Sequence, residues 1–424
     1  MARPHNVIHL RGSQVEMGEQ YGRIMADIGP KHDLHKALTT LADRLLTDAN
    51  HRSVTGRMAT FTLRTLSRLA INRLHKHRPK EYRERSIAVM EGAGMPRSAA
   101  THIALMDAFQ NIVGMAGRTG VGVFAQRAGR ATVAACSSAM VWDSASADDR
   151  LRHARNLDYP VIGLWDRHPT VVFCDPDDGL RYGYLSTLGV DIPGVTGFNE
   201  AGISVGAHTR FHRDVRFNGR CVVDLCHDLV RRAETLDDAV AICREHPIAS
   251  TWGLSIGSAR ERAAMVVETT GNGAWVVHPQ KQQHSLVCTN RNRHPDLEAG
   301  QVSPMPAWAE HADSRTERLE QRIDEKIPNG GLTAIDLMDL LGDHIDAHTG
   351  SERVGGGVIS QANTVQSVVF SGEERRLYLS VGEAPTGRGP YVSIDWDWDR
   401  AVGHQVRDEP TEFETPRHTP PTGS

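Results

Sequence analysis

The run Ala131-Thr132-Val133-Ala134-Ala135-Cys136-Ser137-Ser138 and the later segment Ala154-Arg155-Asn156-Leu157-Asp158-Tyr159 decide how this chain reads. Small residues flank Cys136, so its thiol can reach the preceding carbonyl. A thiol attacks only as thiolate, and a free cysteine keeps its proton to a pKa of about 8.5. A cysteine at a chain terminus carries its own base, because an α-amino group titrates at about 7.7–8.0. That amine lies close enough to take the thiol proton directly or through one water. It exists only once the Ala135–Cys136 bond is broken. The pattern predicts an inactive precursor that cuts itself by an amide-to-thioester shift and hydrolysis, leaving an enzyme that begins at Cys136.

Arg155 and Asp158 fit supporting roles. Residues three apart on a strand face opposite sides, so both reach one site only where the strand ends or kinks, and Tyr159-Pro160 supplies an ending. The Asp158 carboxylate is expected to hold the α-amino group. Arg155, which does not lose its proton, is expected to favour the thiolate. A plain structural ion pair is the alternative for these two. An acyl-transfer site also needs donors for the tetrahedral oxyanion. The side-chain amide of Asn290, in Val287-Cys288-Thr289-Asn290, and the backbone N–H near His208 are the candidates. Asn199 is read first as a turn former and second as a substrate or oxyanion contact. Glu268 is read as a structural carboxylate paired with an interior donor.

Outward from Cys136, residues 13–112 keep helical spacing, and the Gly- and Arg-rich stretch 113–130 reads as a connector. After residue 131 come strands near 133–142, 151–157, 170–174, 182–187, 195–198 and 203–207. Helices follow at about 219–233 and 235–246, the second with a capping box from Thr235 to Asp238. Four strands lie between 251 and 289. Helices near 307–325 and 333–344, the latter capped by Thr333, precede strands 365–371 and 376–381. Segregated strands and helix pairs predict an α+β layered sandwich rather than alternating βαβ units. The expected division is a helical segment 1–135, a core 136–404 and a disordered tail 405–424.

The 424 residues, 39% hydrophobic, suffice for a large core, and a net charge of −4 gives no sign of a nucleic-acid partner. The start Met1–Leu10 lacks an apolar signal core, and no stretch approaches the roughly 18 apolar residues of a membrane span. A cytoplasmic protein with reduced thiols is the expectation. Cys221, Cys226 and His227 sit on one predicted helix with the cysteines facing different directions, so no metal site is expected.

Longer motifs carry a family resemblance. Gly12-Ser13-Gln14-Val15-Glu16-Met17-Gly18-Glu19-Gln20-Tyr21-Gly22, Ala135-Cys136-Ser137-Ser138, Ala154-Arg155-Asn156-Leu157-Asp158, Gly197-Phe198-Asn199-Glu200-Ala201-Gly202, Val267-Glu268, Cys288-Thr289-Asn290 and Ser314-Arg315 occur in one order. The chain resembles the acyl-CoA:6-aminopenicillanic acid acyltransferase family of N-terminal nucleophile (Ntn) hydrolases, related to choloylglycine hydrolases and penicillin V acylases. The resemblance implies a four-layer αββα fold, Cys136 as nucleophile, Asp158 as its amine partner and Asn290 as oxyanion donor. It implies Arg155 and Arg315 as polar support, with Arg318 the rival of Arg315. Two departures stand out. Ala135 replaces the family's usual glycine and restricts φ more. Arg291-Asn292-Arg293-His294 replaces the usual His-Phe after the Thr-Asn pair.

The function expected is transfer of an acyl group from a linear amide or acyl thioester, through a Cys136 acyl-enzyme, to water or an amine. Small to medium acyl groups are expected. No cofactor is expected, with acyl-CoA an optional co-substrate. The partners are a small molecule and the chain's own N-terminal segment after cleavage, with homo-oligomerisation left open. The rivals are an uncleaved relative serving as a binding protein and a Cys–His thiol hydrolase that needs no processing.

Overall fold

A strand that the sequence reading does not foresee, β1 (His5–Gly12), opens the computed structural model, which describes residues 2–28, 54–119, 135–159, 161–305, 307–408 and 411. Helices α1 (Gln14–Ile28), α2 (Val54–His77), α3 (Lys80–Gly92) and α4 (Leu105–Thr119) follow. Next come β2 (Ala135–Asp143), β3 (Asp149–Asp158), β4 (Pro169–Pro176), β5 (Tyr182–Thr187), β6 (Thr196–Asn199) and β7 (Ile203–Thr209). Helices α5 (Val222–Arg232) and α6 (Leu236–Glu245) separate these from β8 (Trp252–Ser258), β9 (Ala263–Thr270), β10 (Gly273–Val277) and β11 (Ser285–Cys288). Helices α7 (Trp308–Asp324) and α8 (Ala334–Leu341) precede β12 (Thr364–Ser371), β13 (Arg376–Ser380), β14 (Tyr391–Asp395) and β15 (Gly403–Arg407).

The strands form two sheets. The first runs β10-β9-β8-β7-β6-β5-β4-β1-β15 and the second β11-β2-β3-β12-β13-β14. Their inner faces meet through Phe173, Leu185 and Phe198 from the first and Val368, Phe370 and Leu379 from the second. Leu225, Leu229 and Val230 of α5 cover the outer face of the first sheet against Tyr184, Val205 and Leu254. Leu319 and Ile323 of α7 and Leu337 and Leu341 of α8 cover the second, against Ala139, Val141 and Ala154. Four layers result, helix–sheet–sheet–helix, so both faces of every central strand are buried and strand polarity need not alternate.

The expected capping box forms between Thr235 and Asp238, and Thr333 caps α8 as expected, with Asp336 completing a second box. Strand β14 was not foreseen either, and three boundaries differ from expectation. Strand β1 pairs parallel with β4 and antiparallel with β15, so the N-terminal segment contributes to the sheet as well as supplying helices. Helix α4 continues to Thr119, inside the expected connector, because Phe109, Val113 and Ala116 extend one apolar stripe. Strand β15 occupies residues 403–407, where the tail was expected to begin. Residues 120–134, which take in the rest of the expected connector and the run before Ala135, and most of that tail lie outside the described residues, as do residues 29–53 of the expected helical stretch.

Candidate active site

Strands β2 and β3 pair antiparallel with Cys136 opposite Leu157, Ser138 opposite Arg155 and Ala135 opposite Asp158. The two-residue side-chain period then sorts the site onto two faces. Cys136, Ser138 and Arg155 point between the sheets. Ser137, Asn156 and Asp158 point toward α7, α8 and the segment preceding β12. The strand does not kink between Arg155 and Asp158, so these two side chains diverge.

Around Cys136 the geometry is tight. Its backbone N–H donates to Asn290 Oδ1 at 3.0 Å. Arg155 Nη2 approaches its Sγ at 3.7 Å. Arg315, reaching in from α7, donates from Nη1 to the Cys136 carbonyl at 2.9 Å and to Ser137 Oγ at 3.0 Å, and from Nη2 to Asn290 Oδ1 at 2.8 Å. Asn290 Nδ2 in turn donates to the Thr209 carbonyl at 2.8 Å. Arg318, the rival arginine, instead pairs with Asp343. Asn290 is fixed from behind by a buried pair: Glu268 bonds Arg210 and accepts from the N–H groups of Arg293 and His294, closing the loop that follows Asn290. Glu268 is thus the structural carboxylate expected.

Asp158 is fully buried, and its carboxylate accepts from Thr364 Oγ1 at 2.6 Å and Gln361 Nε2 at 2.8 Å. Burial holds its pKa up at about 6, against the pull of Arg315 and these hydrogen bonds. Burial likewise pushes the Cys136 thiol up, and the Arg155 charge opposes that. In the unbroken chain the Cys136 nitrogen rests on Asn290, and Asp158, expected to hold the α-amine freed by cleavage, lies opposite Ala135. Asn199 departs from its second reading. Its Oδ1 accepts from Ala201 and Ile203 N–H, and its Nδ2 donates to the Ala233 carbonyl at 2.8 Å. These three hydrogen bonds hold the β6–β7 turn against the end of α5, as the turn-former reading expects, and none of them reaches the Cys136 cluster.

His208 lies on β7 with its ring between the sheets, Nε2 3.0 Å from Arg155 Nη1. Two glycines make room here. A Cβ at Gly206 would fall 2.6 Å from Arg155 Nη1, and one at Gly253 would fall 2.3 Å from Arg210 Nε. Thr196, Thr364, Gln361 and Arg210 were not anticipated. They come from distant strands and loops and form no short motif with Cys136.

Cys136 opens onto a cavity of about 180 Å³. Met25, Met90, Met95, Ile103 and Met106 of the N-terminal segment line one side, and Leu157, Trp165, Ile192, Val195 and Val222 the other. Cys136 is the one cysteine in that lining. Asp107, fully buried, also borders it and accepts from Ser250 Oγ, Trp252 Nε1 and the Val222 N–H.

A family model described as acyl-coenzyme A:6-aminopenicillanic acid acyl-transferase matches residues 152–385, over half of the chain. The chain belongs to this family. The matched span includes Arg155, Asp158, Asn290 and Arg315 and begins after Cys136. Two solved structures are similar in part. One is the Caenorhabditis elegans ortholog of N-acylethanolamine-hydrolyzing acid amidase, at 16% identity over 56% of this chain and 92% of that one, with a TM-score of 0.39. The other is a mutant of conjugated bile acid hydrolase from Clostridium perfringens, at 13% identity over 65% of this chain and 97% of that one, with a TM-score of 0.44. No curated protein matches the sequence. Among the described residues, no helix is long and apolar enough to cross a membrane.

Proposed function

We propose that the chain is a self-processing N-terminal-cysteine enzyme that forms an acyl-enzyme on Cys136 and passes the acyl group to water or an amine. The observation that carries this is the position of Cys136: the one cysteine in the lining of this apolar cavity, with Arg155 at its sulfur and Arg315 and Asn290 on its backbone. In processing, Cys136 Sγ attacks the Ala135 carbonyl carbon and the C–N bond breaks. The nitrogen gains a proton, and water then hydrolyses the thioester to an Ala135 carboxylate and a free thiol. The nitrogen released is the one now held by Asn290. As an α-amine it takes the Cys136 proton, the thiolate attacks the substrate carbonyl, and the ammonium returns that proton to the leaving amine or thiol. Asp158, opposite Ala135, is the carboxylate assigned to the amine. Asn290 Nδ2 has a second N–H beyond the one on Thr209, which is the donor assigned to the oxyanion.

The cavity adds the acyl class. Five apolar residues on each side, four of them methionines, suit a linear apolar acyl group in amide or acyl-thioester linkage, acyl-CoA included. The family's own acyl-CoA chemistry agrees with this. His208 is unsuited to serve as the base of a Cys–His pair, because its Nε2 faces a guanidinium, which has only protons to give.

Intact mass of the purified protein tests the reading. Two pieces beginning at residues 1 and 136 are expected, with Cys136→Ala staying whole. A single uncut chain that turns over acyl donors at full rate would refute it. Incubation with apolar amides and thioesters, followed by weighing the larger piece, identifies the acyl group carried.

A further inference from the structure

Arg155 is fully buried, yet its partners are neutral. Nε donates to Thr196 Oγ1 at 3.0 Å, Nη2 to the Ala207 carbonyl at 2.6 Å, and Nη1 lies 3.0 Å from His208 Nε2. None of its ion-pair-length contacts among the described residues is a carboxylate, which is unusual for a buried guanidinium. A guanidinium is a donor only, so His208 Nε2 must be the acceptor and the ring carries its proton on Nδ1. Ser138 Oγ at 3.0 Å and Ser255 Oγ at 3.1 Å flank the same nitrogen. Ser255 also bonds His153 Nε2 at 3.1 Å, and His153 Nδ1 bonds Ser204 Oγ at 3.0 Å, so the support runs across both sheets.

We propose that the His208 side chain is a positioning residue: a permanently neutral acceptor that aims Arg155 at the Cys136 sulfur while leaving the guanidinium charge uncancelled. A carboxylate at this point would aim the arginine equally well but would neutralise it, and the thiolate would lose its counter-charge. A neutral imidazole orients without cancelling. Burial and the neighbouring Arg155 and Arg210 hold the His208 pKa well below the usual histidine range, so the ring stays neutral wherever the thiol titrates. The other charged or titratable groups around the thiol are Asp158 of β3, Arg315 of α7 and Tyr159, with His153 behind His208.

This inference rests on Cys136 acting as a thiolate. The test is the pH dependence of Cys136 alkylation by iodoacetamide, located by peptide mass, with thermal melting as a fold control. His208→Gln, which keeps a neutral acceptor, is expected to hold the wild-type apparent thiol pKa. His208→Leu should raise it by about one unit, slowing alkylation roughly tenfold at neutral pH. His208→Glu should raise it at least as far, because it cancels Arg155. If Leu fails to fold, the Gln and Glu pair decides. A His208→Glu profile that coincides with wild type overturns the proposal, as does His208→Gln shifting as far as His208→Glu. A native wild type whose Cys136 resists alkylation at every pH instead refutes the underlying thiolate reading and takes this inference with it.

Discussion

Asn290 Oδ1 holds the Cys136 backbone nitrogen at 3.0 Å in the unbroken chain, and the same oxygen takes an Arg315 N–H at 2.8 Å. Replacing Asn290 by leucine removes that acceptor and the Nδ2 donor assigned to the oxyanion. Loss of one such donor costs about 10²–10³-fold in kcat. Both self-scission, followed by intact mass over time, and acyl turnover should fall by this order. Wild-type rates in Asn290→Leu would remove Asn290 from the mechanism.

The cavity lining predicts a change in selectivity. Met90→Trp adds bulk to the apolar lining that Met90 shares with Met95 and Met106. Because a single methylene in an apolar pocket is worth about 1–3 kcal/mol, kcat/KM should fall tenfold or more for long apolar acyl donors and little for short ones. An equal drop at every chain length, measured over a homologous series, would mean that the acyl group lies elsewhere.

Asp107 predicts a pH effect on stability. Burial, stronger than its hydrogen bonds, holds its folded pKa up at about 6 from an ordinary value of 3.8. The folded state therefore binds more protons than the unfolded state between these values, and stability falls as pH rises from about 4 to 6. Above that window the penalty is fully present, and below about 4 it is absent. Asp107→Asn should flatten this slope by about one proton, as read from urea midpoints across the window. An unchanged slope would show that Asp107 ionises freely in the folded protein.

Retention of the N-terminal segment has its own test. Arg78 Nη2 meets Asp224 Oδ1 at 2.8 Å, with side chains 2% and 1% exposed, joining the segment before Ala135 to α5. Arg78→Met leaves a buried carboxylate unpaired and should cost about 3–5 kcal/mol. Adding Asp224→Leu should recover part of that loss. Native size-exclusion of the cut protein should show both pieces together in wild type and partial release in Arg78→Met. Equal losses in the single and double variants would show that the pair does not hold the segment.

Much of the site was legible because its chemistry sits in short contiguous motifs. Cys136, Arg155, Asn290 and Arg315 each lie in a recognisable run, and the structure brings all four together. What surrounds them was not legible. Thr364 at the start of β12 and Gln361 just before it reach Asp158 from about two hundred residues away in sequence, and no local pattern announces that. The direction of Asp158 depended on whether β3 kinked before its end, which neighbouring strands decide. Strand β1 was missed because its parallel partner β4 is similarly remote, while α1 directly after it carries the stronger local signal. Asn199 had two readings from sequence, and its three hydrogen bonds go to the turn and to Ala233, contacts that no local pattern gives.

Gly206 and Gly253 have a bearing on how related sequences should be sorted. Each leaves a space on its strand that an arginine from elsewhere occupies, Arg155 for the first and Arg210 for the second. Alanine at either position collides with a guanidinium already held by hydrogen bonds. Glycine and arginine therefore form a lock of two parts, and a relative that changes one while keeping the other has lost the packing that the site requires. Genome surveys that score the cysteine alone would admit such chains, whereas scoring the two pairs jointly separates intact sites from eroded copies.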